Sequence, residues 1–166
     1  MNSQNQHSLL RTLILIKPDG VQRGLIGEII SRFERVGLKI IGMKLVHINA
    51  EFSKKHYREH INKNFYPALE KFITESPVVA MVLEGINAIQ IARKIVGVTE
   101  PKSAQPGTIR GDFTHQSSAY TIKKGIIIRN LVHASADESD AEFEVALWFS
   151  DEELYSYSTV HEKHIF

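Results

Sequence analysis

Arg11-Thr-Leu-Ile-Leu-Ile16-Lys17-Pro-Asp-Gly20 is the stretch whose reading decides the fold. Arg11–Ile16 is short, aliphatic and β-branched, as a buried strand requires. Lys17-Pro18-Asp19-Gly20 stops it, because proline and glycine in a turn cannot extend a ladder. Leu25, Ile26, Ile29, Ile30, Phe33 and Val36 then recur at three- and four-residue steps and end at Gly37. That spacing predicts an amphipathic helix with a glycine stop.

Outward from this βα unit, Leu38–Asn49 predicts a second strand, with Ile41, Met43 and Leu45 alternating against polar or small neighbours. Ser53 predicts an N-cap for a helix through Tyr57 and His60, followed by a short helix holding Leu69, Phe72 and Ile73. Pro77–Gly85 reads as a third buried strand and Asn87–Gly97 as a helix with Ile89, Ala92 and Ile95–Val96 turned inward. Residues 98–116 form a long irregular stretch punctuated by Pro101, Pro106, Gly107 and Gly111, and loops of that length inside a domain usually carry function. Ile126–Val132 predicts a fourth strand and Glu138–Trp148 a final helix. The order β-α-β-(αα)-β-α-β-α places the chain in the α+β class, as a ferredoxin-like βαββαβ arrangement with an antiparallel sheet, helices covering it and an additional C-terminal helix. Residues 1–9 are expected to form a flexible arm and residues 10–166 a single domain.

Composition narrows the function. The 166 residues carry 20 Lys and Arg against 19 Asp and Glu, a net charge of +1. Dedicated nucleic-acid binders show a basic excess, so that class is disfavoured. There is no cysteine, which removes disulfides, thiolate zinc sites and thiol catalysis. The longest aliphatic runs, Val78–Leu83 and Ile126–Ile128, fall far short of the ~20 residues of a membrane span. The opening MNSQNQHSLL lacks the basic and apolar regions of a signal peptide. A soluble, cytoplasmic protein without a membrane partner is the expectation.

No phosphate-binding GxxxxGK[ST] loop, GxGxxG, GxSxG or HExxH is present, so any phosphate must be held by side chains. Of the eight histidines, His7, His47, His161 and His164 read as solvated and His115 as undecided. His56 and His60, four residues apart, can bridge a metal in principle, but without a third ligand nearby they too read as solvated. His133 stands apart. It follows an aliphatic strand and precedes small residues, a place from which a neutral imidazole can act as nucleophile or base. Arg93, Thr99, Lys102, Arg110 and Lys17 supply an anion clamp of the kind a polyphosphate needs.

The run from Lys17-Pro-Asp-Gly to Gly-Glu-Ile29, the Gly85-Ile-Asn-Ala run, Pro106-Gly-Thr-Ile-Arg110-Gly-Asp-Phe113 and Asn130-Leu-Val-His133-Ala-Ser135 together resemble the nucleoside diphosphate kinases, with alignable segments from Arg11 to about Tyr157. The resemblance implies a phosphotransferase that moves the γ-phosphoryl of a nucleoside triphosphate to a nucleoside diphosphate by a ping-pong route through phosphohistidine at His133, on the imidazole Nδ1. It assigns Lys17, Tyr57, Arg93, Thr99, Arg110 and Asn130 to phosphates and ribose, Phe65 and Leu69 to the base, and Ser135 and Glu144 to the surroundings of the histidine. It implies Mg²⁺ carried in on the nucleotide rather than by a protein cage, and a homo-oligomer, a hexamer ahead of a tetramer. The alternative from another class is a catalytically silent nucleotide-binding or scaffold protein on the same fold. Two departures stand out. Ala134-Ser135-Ala136-Asp137 replaces the usual Gly-Ser-Asp after the histidine, and Ser117–Ile128 is longer than in common members.

Overall fold

The computed structural model describes residues 9–165. Most of the expected arm, His7 included, therefore lies outside the described residues. Four antiparallel strands pair in the order β2-β3-β1-β4: β1 Leu9–Ile16, β2 Lys39–Val46, β3 Val78–Ile86 and β4 Val132–Ala134. This is the strand order of a ferredoxin-like βαββαβ fold. Central β1 pairs with β3 along its whole length and with β4 at its carboxyl end.

Helices cover both faces, which explains why β1 is apolar without alternation. Ile14 and Ile16 face a core with Ile29 and Phe33 of α2 (Ile26–Glu34) and Ala88, Ala92 and Val96 of α5 (Ala88–Val96). Leu13 and Leu15 face a second core with Leu69 and Ile73 of α4 (Tyr66–Ile73) and Val145 and Trp148 of α8 (Glu138–Trp148). Between them lie α1 (Pro18–Gln22), α3 (Ala50–His56), α6 (Ile109–Phe113) and α7 (Ser118–Lys124), with a short α9 (Glu162–Ile165) after α8.

Four local expectations are corrected. The first concerns β2, which has a bulge between Ile40 and Gly42 that inserts one residue and reverses the alternation beyond it. Ile41 is buried, but Met43 and Leu45 are 54% and 63% exposed. Gly42 turns inward instead, where a Cβ would meet Leu154 and the Glu153 carbonyl. Second, the cap of α3 is Asn49, whose side chain accepts from Phe52 N at 2.9 Å. Ser53 sits buried within the helix against the Tyr66 hydroxyl, and α3 ends at His56, short of His60. Third, the long loop contains a 3-10 turn at Pro101–Ser103 and the short helix α6. Gly111 in α6 is required by close approach, since a Cβ there would strike the Gln105 carbonyl.

The fourth correction is β4, which holds only Val132–Ala134 rather than Ile126–Val132. Leu131 adopts φ +70°, a left-handed turn that breaks any strand running through it. The segment before it forms α7, capped by the Ser117 hydroxyl and closed by Gly125 at φ +64°.

Candidate active site

The carboxyl end of β1 organises the site. Leu15 lies opposite His133 in the β1–β4 ladder, so both side chains project to the face covered by α3, α4 and α8. On that face α8 presents Glu144, and its carboxylate accepts from His133 Nε2 at 2.8 Å. An ionised carboxylate can only accept, so the proton belongs on Nε2 and the lone pair on Nδ1. The other carboxylate oxygen accepts from the Ser135 hydroxyl at 2.7 Å, and Ser135 Oγ accepts from Leu13 N at 3.1 Å. The imidazole is thus anchored through a hydrogen-bond chain to the central strand. Glu144 and Ser135 are both buried.

Behind His133 lies His56, its ring edge-on at 4.7 Å between centroids. Its Nδ1 accepts from the Trp148 indole N–H at 3.2 Å. Burial first, then the nearby His133, Lys17 and His60, hold its pKa well below the usual histidine range, so the ring is neutral. The expectation that His56 is solvated is therefore overturned, because its helix face turns into the core. Ligand atoms of His56, His133 and Glu144 lie within 4.8 Å of one another. They do not form a vacant metal nest: the indole takes His56 Nδ1, and Glu144 is shared by His133 and Ser135.

The cation wall forms where Lys17 leaves β1. Lys17 Nζ donates to Asn130 Oδ1 at 2.8 Å, and Asn130 Nδ2 donates to the Thr99 carbonyl at 2.8 Å. Arg110 is buried and donates to the carbonyls of Asn130, Gly97 and Val132 at 3.2, 2.8 and 2.6 Å. These bonds fix the guanidinium and leave its remaining N–H groups for a ligand. Burial and the Arg110 charge lower the Lys17 pKa to about 8, and burial and Arg93 lower that of Arg110 to about 10. Arg93 itself is exposed, at a long 3.5 Å from the Ser135 carbonyl, and Thr99 is exposed too.

On the opposite lip, Tyr57 is buried with its hydroxyl unpartnered, and burial followed by the Glu144 charge raises its pKa. His60 stacks on Tyr57 at 6.3 Å and meets Phe65 edge-on at 5.6 Å, with Nδ1 buried and unpartnered. The solvated reading of His60 is overturned as well; its place three residues after Tyr57 was the available signal. Phe65 is 42% exposed at this mouth, whereas Leu69 is buried in the core beneath. Of the remaining expected solvated histidines, His47, His161 and His164 are exposed, as is His115. Asp137 caps α8, accepting from Asp140 N at 2.9 Å, which accounts for the shifted acidic residue after Ala136.

A family profile described as Nucleoside diphosphate kinase matches residues 10–154. The chain belongs to the nucleoside diphosphate kinase family. It is 53% identical to the Nucleoside diphosphate kinase of Pyrococcus furiosus over 147 residues, covering 89% of this chain and 87% of that one. It is 48% identical to that of Borreliella burgdorferi over 155 residues, covering 90% and 92%. Among solved structures it is similar to a transition-state mimic of the Borrelia burgdorferi enzyme with bound vanadate and ADP, at TM-score 0.92 and 46% identity over 95% of this chain and 96% of that one. It is also similar to a Halobacterium salinarum enzyme in complex with CDP, at TM-score 0.85 and 41% identity over 96% and 99%. This kinase transfers the γ-phosphoryl of a nucleoside triphosphate to a nucleoside diphosphate through a phosphohistidine. Enzymes of the family are nucleotide-dependent and generally need a divalent cation. Among the described residues, no helix is long and apolar enough to cross a membrane.

Proposed function

We propose that His133 is the phosphoryl carrier of this kinase, and the observation that carries the assignment is the clamp of its Nε2 by Glu144. The lone pair of Nδ1 forms the N–P bond while the bond from phosphorus to the bridging β-phosphate oxygen breaks. The nucleoside diphosphate leaves with that electron pair, and a second diphosphate reverses the step. Glu144 balances the positive charge the ring gains, and Ser135 holds Glu144 in place. Phosphoryl transfer asks the protein chiefly for alignment and charge neutralisation. Lys17, Arg110 and Arg93 answer the phosphate charge, Thr99 and Tyr57 add neutral donors, and Asn130 fixes Lys17 and reaches toward the ribose end. Phe65 offers a stacking face to any base, over the apolar floor that Leu69 completes.

Mg²⁺ fits this site as a passenger of the nucleotide. Among the described residues, the one cluster of metal-ligating type is rich in nitrogen and already hydrogen-bonded, whereas Mg²⁺ prefers oxygen ligands and is often held by substrate phosphates. Bound there, it would reduce repulsion among the phosphate oxygens. Residues 10–166 act as one catalytic domain in the cytoplasm. A homo-oligomer, a hexamer ahead of a tetramer, suits the open apolar cavity of about 990 Å³ lined by Val36, Leu38, Ile91, Ile95 and Val98, which meets the site at Arg93 and Gly97.

Incubation with γ-labelled ATP, followed by acid and alkali treatment, tests the carrier. Label that is acid-labile and alkali-stable is expected. A protein that transfers phosphate without ever holding such label would require direct transfer between nucleotides.

A further inference from the structure

Asp19 is buried at 4% exposure, yet the phosphoryl-transfer route above gives it no role. Its Oδ2 accepts from Leu131 N at 3.1 Å, and its Oδ1 has no hydrogen-bond partner. Leu131 is the left-handed residue between Asn130 and Val132, and its carbonyl in turn accepts from Lys17 N at 2.8 Å. Three bonds therefore zip the turn after β1 to the turn before β4: Lys17 N to Leu131 O, Leu131 N to Asp19, and Lys17 Nζ to Asn130. Gly20 permits the approach, since a Cβ there would strike Ile16 and crowd the Leu131 carbonyl. A left-handed non-glycine residue is costly and persists only where its surroundings hold it.

The same place has an electrostatic problem. Two buried cations share one small pocket, and like charges in a dry site oppose each other's ionisation. Around Lys17 the charged groups are Arg110 of α6 and Asp19 of α1, with the neutral His56 of α3 nearby. Around Arg110 they are Arg93 of α5 and Asp19. Asp19 is thus the one carboxylate acting on both cations, and it does so through space rather than as a direct ion pair. With one oxygen unpartnered, its charge is not spent on donors of its own.

We propose that Asp19 is a positioning residue for phosphoryl transfer: it clasps the Leu131 turn that leads into His133 and sets a fixed negative charge beside the Lys17 ammonium before the nucleotide arrives. This rests on Lys17 serving the transferred phosphoryl group. The buried carboxylate complements an empty site, and the incoming phosphates take over its work.

The test is the pH profile of kcat/KM, which reports ionisations of the free enzyme. Asp19→Asn keeps an oxygen for Leu131 N but removes the charge. Its basic limb is expected to move down by about half to one pH unit relative to wild type, with near-normal phosphohistidine formation on the acid side of the limb. Asp19→Glu restores the charge and should return the limb to its wild-type position, even where its longer arm lowers the plateau. A uniform loss at every pH with the limb unmoved would reduce Asp19 to a structural turn residue and overturn the proposal. If Asp19→Asn does not fold, Asp19→Ser, which also removes the charge while keeping an oxygen, carries the test: a lowered limb supports the counter-charge, and an unmoved limb refutes it. Lys17→Ala separates the two readings, because retained kcat in that protein defeats the assignment of Lys17 itself, whereas a fixed limb in Asp19→Asn defeats only the role of Asp19.

Discussion

The two ends of the site are built differently. At the phosphoryl end His133, Glu144, Ser135, Lys17, Asn130 and Arg110 are joined by hydrogen bonds of 2.6–3.2 Å and tied to the backbone of β1 and β4. At the opposite lip Tyr57 Oη and His60 Nδ1 are buried without partners, and Phe65 stands half out of the surface. Unpartnered buried atoms occur at both ends, Asp19 Oδ1 and His56 Nε2 among them; what sets the lip apart is that its pair lies beside the exposed Phe65 ring. On the proposed reading, chemistry that needs alignment within fractions of an ångström is tied to the ends of β1 and β4, and recognition that must accept different nucleosides is left to residues at helix termini with an open aromatic face.

The largest loss is expected at His133. His133→Ala should fold and lose essentially all transfer, because no other group is anchored with a free nucleophilic nitrogen at that point. Steady-state turnover near the wild-type rate would end the account. Lys17→Ala comes next, with a loss of about 10²–10³ in kcat expected for an oriented donor at developing charge. An unchanged kcat would make Lys17 a strand-end residue and nothing more. Glu144→Ala should follow at roughly 10–100-fold, the usual effect of removing a histidine's orienting partner, with little change in KM. A KM effect without a kcat effect would place Glu144 in binding instead.

Lys17 also predicts how activity and stability diverge with pH. Its native pKa of about 8 lies below the ordinary 10.5, so between those values the unfolded chain binds more protons than the native one. Its contribution to stability therefore rises with pH across that window, while the ammonium that its proposed role requires disappears. Activity should fall above about pH 8 as denaturant midpoints hold or rise. Parallel loss of both would mean that unfolding, and not Lys17, sets the basic limb.

What could be read beforehand follows the same physics. β1 and β3 were legible because strands covered on both faces are apolar throughout, and α2 and α5 because their buried residues repeat at helical spacing. The proposed site residues can be read only as a set: Arg93, Tyr57 or Glu144 alone looks like any surface or core residue, and the family resemblance joins them. β4 was misjudged because Ile126–Ile128 has strand composition, whereas Leu131 in a left-handed turn, held by Asp19 from far away in the chain, ends the ladder. The same holds for His56, whose burial depends on Trp148, and for the bulge that turns Met43 and Leu45 outward. In these three a long-range contact overrides a local pattern, whereas the Asn49 cap of α3 and the Thr108 cap of α6 are local.

The smallest effect is expected in Ser117–Ile128, the segment that the family resemblance reads as longer than usual. Its helix α7 exposes Tyr120 and Ile122 and buries only Thr121. Its flanks are tied to the base end: Ile127 packs on the core that includes Leu69, and Arg129 lies over the Phe72 ring at 5.1 Å and pairs with Glu75 at 3.4 Å. Gln116 secures the return, accepting from Arg129 N at 2.8 Å through its side chain. Replacing residues 118–125 by a tight turn that keeps Gln116 and Ile127 should therefore leave phosphohistidine formation intact, since no bond of the phosphoryl end passes through α7. Loop closure changes by only about 0.6 kcal/mol for each twofold change in length, so the fold should tolerate it. A several-fold rise in KM, shared by purine and pyrimidine nucleotides, is the expected result of loosening the apolar floor. Loss confined to one base would show that α7 reads base edges. Loss of phosphohistidine in a folded protein would move the boundary between the two ends of the site and make the segment part of the phosphoryl apparatus.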